Sequence, residues 1–422
     1  MYRSIDIPKT QSVWKKMFAF FGPGLLIAVG YMDPGNWATD IAGGAQFAYA
    51  LLFVILLSNI FAMILQHLAL KLGIATGLDL AQACRAYYSP VVNYILWFLC
   101  EIAIIACDLA EVIGSAIALN LLFDIPMTIG VLITTADVLL LLLLQDRKFR
   151  LLEVLVGLMI LVILFSFITE LFYAKPDIQL ILRGLLPTSE ILSNPKMLYI
   201  AIGIMGATVM PHNLYLHSSI VKTRNIGSDA ASKKEAIKFA TWDSSFCLFI
   251  AFFINAAILI LAAGTFYVNG YHEIQDLKEA HKLLNPLLGV EMAGFLFALA
   301  LLASGQNSTI TGTMAGQIVM EGFLNLKIKP WVRRLITRLL AIIPALYITY
   351  YFGDAKTVDM LIFSQVVLSI QLSFAVIPLV YFTSNRVIMG QYVNTMLLKL
   401  ISWVIALLII SLNLWMMWTQ LL

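Results

Sequence analysis

Asp33-Pro34-Gly35-Asn36 and Met210-Pro211-His212 interrupt two long hydrophobic segments near their middles, and the fold turns on how these two interruptions are read. Proline has no amide proton to give a helix and glycine bends freely, so each interruption frees backbone carbonyls at a depth where lipid offers no hydrogen bond. Freed carbonyls need a partner, and a cation is one. Broken helices at matching points in the two halves of a membrane protein are the sequence mark of a substrate site in a carrier. The two breaks are therefore the expected functional centre.

The rest of the chain sets them in a membrane. Of 422 residues, 61% are hydrophobic and 12% charged, whereas a soluble globular chain carries about 25% charge. Apolar stretches of about 20 residues predict helices near 19–45, 50–73, 94–122, 126–145, 151–174, 196–222, 241–266, 290–318, 335–352, 358–384 and 395–420, about eleven spans. With an odd number of spans the termini lie on opposite sides. Of the lysines and arginines, 21 fall in one alternating set of segments and 6 in the other, which places the N-terminus in the cytoplasm and the C-terminus outside a cell membrane. The first apolar run is too long for a cleavable signal peptide and carries Asp33 inside it. Cys84, Cys100, Cys107 and Cys247 lack metal-ligand spacing and read as buried apolar fillers, with neither a disulfide framework nor a zinc site. A net charge of +3 reflects the topology bias and gives no support for nucleic-acid binding. No obligatory protein partner is evident; the expected partners are the lipid bilayer and the transported ions.

No Pro-, Gly- or Ser-rich linker divides the chain, so a single membrane domain over 1–422 is expected. The first break lies in span one and the second in span six. The first ten spans thus split into two sets of five, and an odd repeat must invert. Position alone, without residue-level similarity between the halves, predicts an inverted-topology repeat over 1–174 and 196–384, with 395–420 as an added helix. Longer hydrophilic loops are expected at Lys175–Lys196, Asn225–Lys238 and Tyr267–Lys282, the middle one cytoplasmic, with a surface-helical pattern over Ser228–Ala236.

At the first break, Asp33 is an intramembrane carboxylate, which is costly and marks an ion or proton path. Asn36, three residues on, can bring an amide oxygen to the same cation. At the second, Met210 offers a thioether, and Pro211 has no amide proton to give the Ala207 carbonyl. Carboxylate, amide and carbonyl oxygens with a soft sulfur suit a first-row transition ion, whereas magnesium and calcium prefer all-oxygen shells. Gln365 of span ten is a candidate to complete the shell. His212 is expected to handle protons or gate, because imidazole titrates near neutrality; for His217 a structural bond and a proton role are equally open. In span three, Asp108 and Glu111 share a helix face and read as a proton relay, with Glu101 on or near the same stripe and Arg333, Arg334 or Arg224 as pairing arginines. The polar run Ser304 to Thr313 in span eight reads as close helix packing or a hydrated passage, and Gln371 adds a second amide in span ten.

These motifs resemble the natural resistance-associated macrophage protein (Nramp) family, in its bacterial manganese-transporter branch. The resemblance is carried by Asp33-Pro34-Gly35-Asn36-Trp37-Ala38-Thr39-Asp40, Gly73-Ile74-Ala75-Thr76-Gly77 with Asp79-Leu80-Ala81-Gln82, Asp108-Leu109-Ala110-Glu111, Met210-Pro211-His212-Asn213-Leu214, and Gly305-Gln306 through Gly312. It implies an all-α, LeuT-type membrane fold with helices one and six broken, and proton-coupled uptake of Mn²⁺ or Fe²⁺, with Cd²⁺ and Co²⁺ also accepted. By the same resemblance the metal ligands are Asp33, Asn36, Met210 and the Ala207 carbonyl. The proton-path residues are Asp33, His212, Asp108, Glu111 and the arginines Arg224, Arg333 and Arg334. Relatives without the methionine handle magnesium or aluminium, and a twelfth span found in some members is missing here.

The expected mechanism is alternating access, in which the metal displaces a proton from Asp33 toward the span-three carboxylates. There is no resident cofactor; Mn²⁺ or Fe²⁺ and H⁺ are cargo. The competing readings are a cation-coupled amino-acid carrier on the same fold and an intramembrane metalloenzyme. The latter lacks a His-Glu-x-x-His motif or a serine nucleophile constellation.

Overall fold

In lipid a backbone satisfies its own polar groups only as helix or closed barrel, so long apolar runs without strand alternation fold as helices. A computed structural model of the protein describes residues 5–7, 12–134, 149–274, 277–326, 328–351 and 357–421. Nearly all of them are helical. The one sheet among them is a two-residue parallel pairing of Ile5–Asp6 with Arg224–Asn225.

We number the larger helices α1 (Pro23–Gly30), α2 (Pro34–Phe47), α3 (Leu52–Thr76), α4 (Pro90–Phe123), α5 (Phe149–Ala174) and α6 (Pro195–Thr208). They continue as α7 (Pro211–Ile220), α8 (Ala230–Ala262), α9 (Ala293–Leu324), α10 (Pro330–Tyr351), α11 (Thr357–Thr383) and α12 (Met396–Leu421). Among the described residues, eight helical segments are long and apolar enough to cross a membrane, with α6 and α7 counted together. The broken pair α1 and α2, and α10 with its shorter apolar window Leu335–Tyr347, supply two more expected spans. The span expected over 126–145 begins as a helix at 127–134, and its remainder lies outside the described residues.

The centre of the bundle and its edge are clear from burial. The most apolar window of α4 is 83% buried, that of α12 only 28%. Helix α4 packs on α9, α10 and α11, whereas α12 lies outside against α11 and α6. The broken helices run between these layers, α1 and α2 against α8, α6 against α11.

One expected boundary is corrected. The loop Asn225–Lys238 is mostly helix, because α8 starts at Ala230, where the Asp229 side chain accepts from the Ser232 amide at 2.9 Å. An aspartate cap followed by alanine, lysine and glutamate extends a helix beyond its apolar part, so hydropathy alone starts it eleven residues late. The other two expected loops also hold short helices, Ile178–Gly184 and Glu190–Ser193 in one and Leu277–Leu288 in the other.

Candidate functional site

Both breaks are built alike, as an extended residue followed by proline in the first turn of the next helix. Asp33 caps α2, its backbone extended and its Oδ1 accepting from the Asn36 amide at 2.8 Å. Met210 occupies the same position before α7, with no side-chain cap. Proline at the first helical position loses nothing, since that amide has no intrahelical acceptor. Two carbonyls of the first break find protein donors: Asn255 Nδ2 donates to Tyr31 O at 2.8 Å and Ser304 Oγ to Met32 O at 2.5 Å. Part of the expected demand for a cation is therefore met by α8 and α9. Removing the first donor, as Asn255→Leu, is expected to cost about 1–3 kcal/mol by leaving a buried carbonyl unsatisfied. An unchanged melting temperature of the purified variant would count against this account.

Among the side-chain oxygens that protein donors do not meet are those of three expected ligands. Asp33 Oδ2, Asn36 Oδ1 and Gln365 Oε1 are buried without a hydrogen-bond partner. Asp33, Asn36, Ala207, Met210 and Gln365 are each at most 1% exposed, so the site is closed to solvent. Gln365 lies against both breaks. A Cβ on Gly35 would collide with its amide, and a Cβ on Gly206 with its backbone carbonyl, so only glycine admits this approach. Met210 is packed among Ala103, Cys107 and Leu368. Among the described residues no three His, Cys, Asp or Glu side chains group as a metal cluster. The first break brings one carboxylate and a neutral amide oxygen, and the second brings the Met210 thioether, each buried.

Next to it runs a polar network along α4. Glu111 accepts from Thr309 Oγ1 at 3.1 Å and pairs with Arg338 at 3.4 Å, and it lies within electrostatic reach of Asp33. Arg338 also donates to Thr134 O at 3.2 Å. Asp108 lies within electrostatic reach of His212. The arginine on Glu111 is thus Arg338, which was not among the expected partners. Arg333 pairs instead with Glu101 at 3.1 Å, and Arg224 with Glu153 at 2.8 Å, while the Arg334 side chain lies outside the described residues. Arg333 and Arg338, five residues apart, both reach α4, and which acid each one meets depends on how the two helices are set along one another in the packed bundle.

Cys107 is more than filler, for its sulfur lies 3.8 Å from His212 Nε2 and 3.7 Å from Glu111 Oε1. The other three cysteines are buried and free, as expected. His217, for which a structural bond and a proton role were equally open, has Nδ1 meeting Gln66 Oε1 at 2.9 Å while Gln66 donates to the Tyr31 hydroxyl at 2.8 Å. The span-eight polar run mostly binds neighbouring backbone: besides Ser304, Asn307 Nδ2 donates to Val156 O at 3.4 Å and Ser308, Thr311 and Thr313 bond within α9.

The site is sealed on both sides. Toward the N-terminus, Arg224 donates to the carbonyls of Ala19 and Phe21 at 3.1 and 2.9 Å, and Asp243 accepts from the Gly24 amide at 2.7 Å. Beyond that seal lies a cavity of about 570 Å³ whose lining includes Gly77, Asp79, Lys222 and Arg224 and none of the residues at the breaks. In its wall, Asp79 lies outside the spans, and burial raises its carboxyl despite Lys222 at 3.3 Å. On the far side, the Trp37 ring meets Phe167 at 4.8 Å and Phe297 at 5.2 Å. Sequence reasoning gave no role to Asn255, Arg338, Cys107 or Asp40. A lone asparagine in an apolar span and a second acid on the first broken helix were the available signals.

Two discontinuous helices meeting at a buried polar centre, inside a scaffold of long membrane helices, define a multi-pass membrane transporter of the LeuT type, not an enzyme. The solved structure of MhsT in complex with L-phenylalanine shares this fold, with TM-score 0.64 at 14% identity over 93% of this chain and 98% of that one. The family model "natural resistance-associated macrophage protein-like" matches residues 24–419, and the chain belongs to that family. It is 58% identical to the divalent metal cation transporter MntH of Nostoc sp., over 99% of this chain and 94% of that protein. A crystal structure of the Eremococcus coleocola manganese transporter superposes with TM-score 0.90 at 42% identity, covering 98% of this chain and 89% of that one.

Proposed function

We propose that the protein carries divalent transition-metal ions, Mn²⁺ first, with Fe²⁺, Cd²⁺ and Co²⁺ as further cargo, into the cell with protons by alternating access. The observation that carries this is the set of acceptors left open at the breaks: Asp33 Oδ2, Asn36 Oδ1 and Gln365 Oε1 are buried and lack any donor. Three oxygens without a hydrogen to bind are ligands for a cation. The Ala207 carbonyl, which Pro211 cannot serve, and the Met210 sulfur would complete the shell. One negative charge among neutral donors holds a dication moderately, which lets a carrier release it. The names of the relatives from Nostoc and Eremococcus point to the same cargo.

The thioether sets the preference. It adds affinity for manganese, iron, cobalt and cadmium and nothing for calcium or magnesium. Met210→Ala is therefore expected to keep measurable Mn²⁺ uptake while Ca²⁺ becomes a competitor on the order of tenfold stronger, a change of about 1.4 kcal/mol. Uptake into proteoliposomes with Ca²⁺ titrated against Mn²⁺ measures it; unchanged competition by Ca²⁺ would remove sulfur from the site.

For the proton, Asp33 is the first acceptor, its proton displaced on metal binding toward Glu111, Asp108 and His212, with Arg338 paired to Glu111 and Arg333 to Glu101 farther along α4. An internal pH dye in the same vesicles tests coupling. His217, bonded to Gln66, holds α7 to α3. The two repeats run over 1–174 and 196–384, and the N-terminus faces the cytoplasm in the cell membrane, in line with the lysine and arginine count.

A further inference from the structure

Asp40 lies on α2 seven residues beyond Asp33, so the two share one face of the helix two turns apart. It is on the side of the break away from the N-terminus, 1% exposed, and its Oδ2 has no hydrogen-bond partner. Three other buried acids are met by donors: Glu111 by Arg338, Glu153 by Arg224, Asp243 by the amides of Gly22 and Gly24. Glu170 of α5 shares the lack of a partner but sits on neither broken helix. Among the described residues, no lysine or arginine pairs with Asp40.

The charged group that acts on it is Asp33, two turns back on the same face, and the two carboxyls interact electrostatically. Two carboxylates on one helix face at membrane depth repel, and only a proton or a cation between them relieves this. The residue between them on the stripe, Trp37, supplies no donor to Asp33 or Asp40, because its Nε1 is itself without a partner while its ring is held by Phe167 and Phe297. An ion moving along this face toward Asp33 therefore meets Asp40 first, as a carboxylate with an open oxygen.

We propose that Asp40 is an outer station for the transported divalent cation, a carboxylate that holds the partly hydrated ion before it passes to Asp33. Oxygen ligation with retained water distinguishes poorly among divalent ions, so this station concentrates cargo and leaves selection to Met210. The inference rests on the reading of Asp33 as the transport site. That reading is tested separately, because Asp33→Asn would abolish uptake whichever face supplies the metal.

The test is Mn²⁺ uptake by the full chain in right-side-out and inverted membrane vesicles. Asp40→Asn, close to isosteric, is expected to raise the external Mn²⁺ concentration for half-maximal uptake on the order of tenfold, with the maximal rate kept. From the opposite face the half-maximal concentration stays at the wild-type value. An unchanged half-maximal concentration, an equal rise from both faces, or a fall in maximal rate alone would each overturn the station. Should Asp40→Asn melt at a lower temperature, Asp40→Glu decides: a half-maximal concentration near wild type supports the proposal, and one as high as for Asp40→Asn refutes it.

Discussion

Asp33→Asn brings Mn²⁺ uptake down by about 100-fold or more, to the level of vesicles without protein, while the protein remains folded. The expectation separates two jobs of one side chain. As helix cap, Asp33 accepts from the Asn36 amide, and asparagine caps equally well, so the break keeps its shape. As ligand, it is the one charged group among the donors proposed at the breaks, and asparagine has no charge to replace it. Two orders of magnitude correspond to about 2.7 kcal/mol, a modest demand for a carboxylate facing a dication in a site sealed from water. Uptake in proteoliposomes measures the loss, and a melting curve in detergent establishes the fold. Uptake within threefold of wild type in a folded variant would mean that the metal is held elsewhere.

Arg338→Met is expected to destabilise the protein by about 3–5 kcal/mol, because it strips a buried carboxylate of its guanidinium. The Arg338 and Glu111 side chains are 1% and 0% exposed at 3.4 Å. Water cannot replace the lost cation, and the hydrogen bonds from Thr309 and Cys107 are neutral. The companion double variant Arg338→Met with Glu111→Gln should recover most of the loss, since removing both charges leaves no uncompensated ion. Thermal unfolding of the four proteins closes the cycle. If the single variant melted like wild type, or the double variant like the single, the pair would not be what joins α10 to α4.

Much of this site could be read without coordinates, and the readable part is local. The breaks follow from prolines beside Asp33 and Met210, and the structure places both prolines at the first position of a new helix. The face shared by Asp108 and Glu111 follows from three-residue spacing in a helix. Less legible was what each freed group meets. Tyr31 and Met32 lose helical partners because of their own neighbours in sequence, yet the donors come from Asn255 and Ser304, more than 200 residues away. Glu111 likewise needed a cation on any reading. That it is Arg338, and neither Arg333 nor Arg224, depends on how α10 is set along α4, which no spacing within α4 records. Cys107 read as filler because it has no partner at ligand spacing along the chain, and its neighbours His212 and Glu111 lie on α7 and one turn along α4.

The order of residues by itself determined that this chain lies in a membrane, that two helices break inside it, and that Asp33, Asn36 and Met210 stand at the breaks. Those are consequences of apolar run length, of proline's missing amide proton, and of the cost of charge in lipid, all of which act over a turn or two of chain. Only the packed structure decided which polar atoms are satisfied and which are left open, that Gln365 reaches Gly35 and Gly206 together, and that no lysine or arginine among the described residues pairs with Asp40. Satisfaction is a property of pairs, and in this bundle the partners come from different helices, brought together by side-chain packing rather than by sequence order.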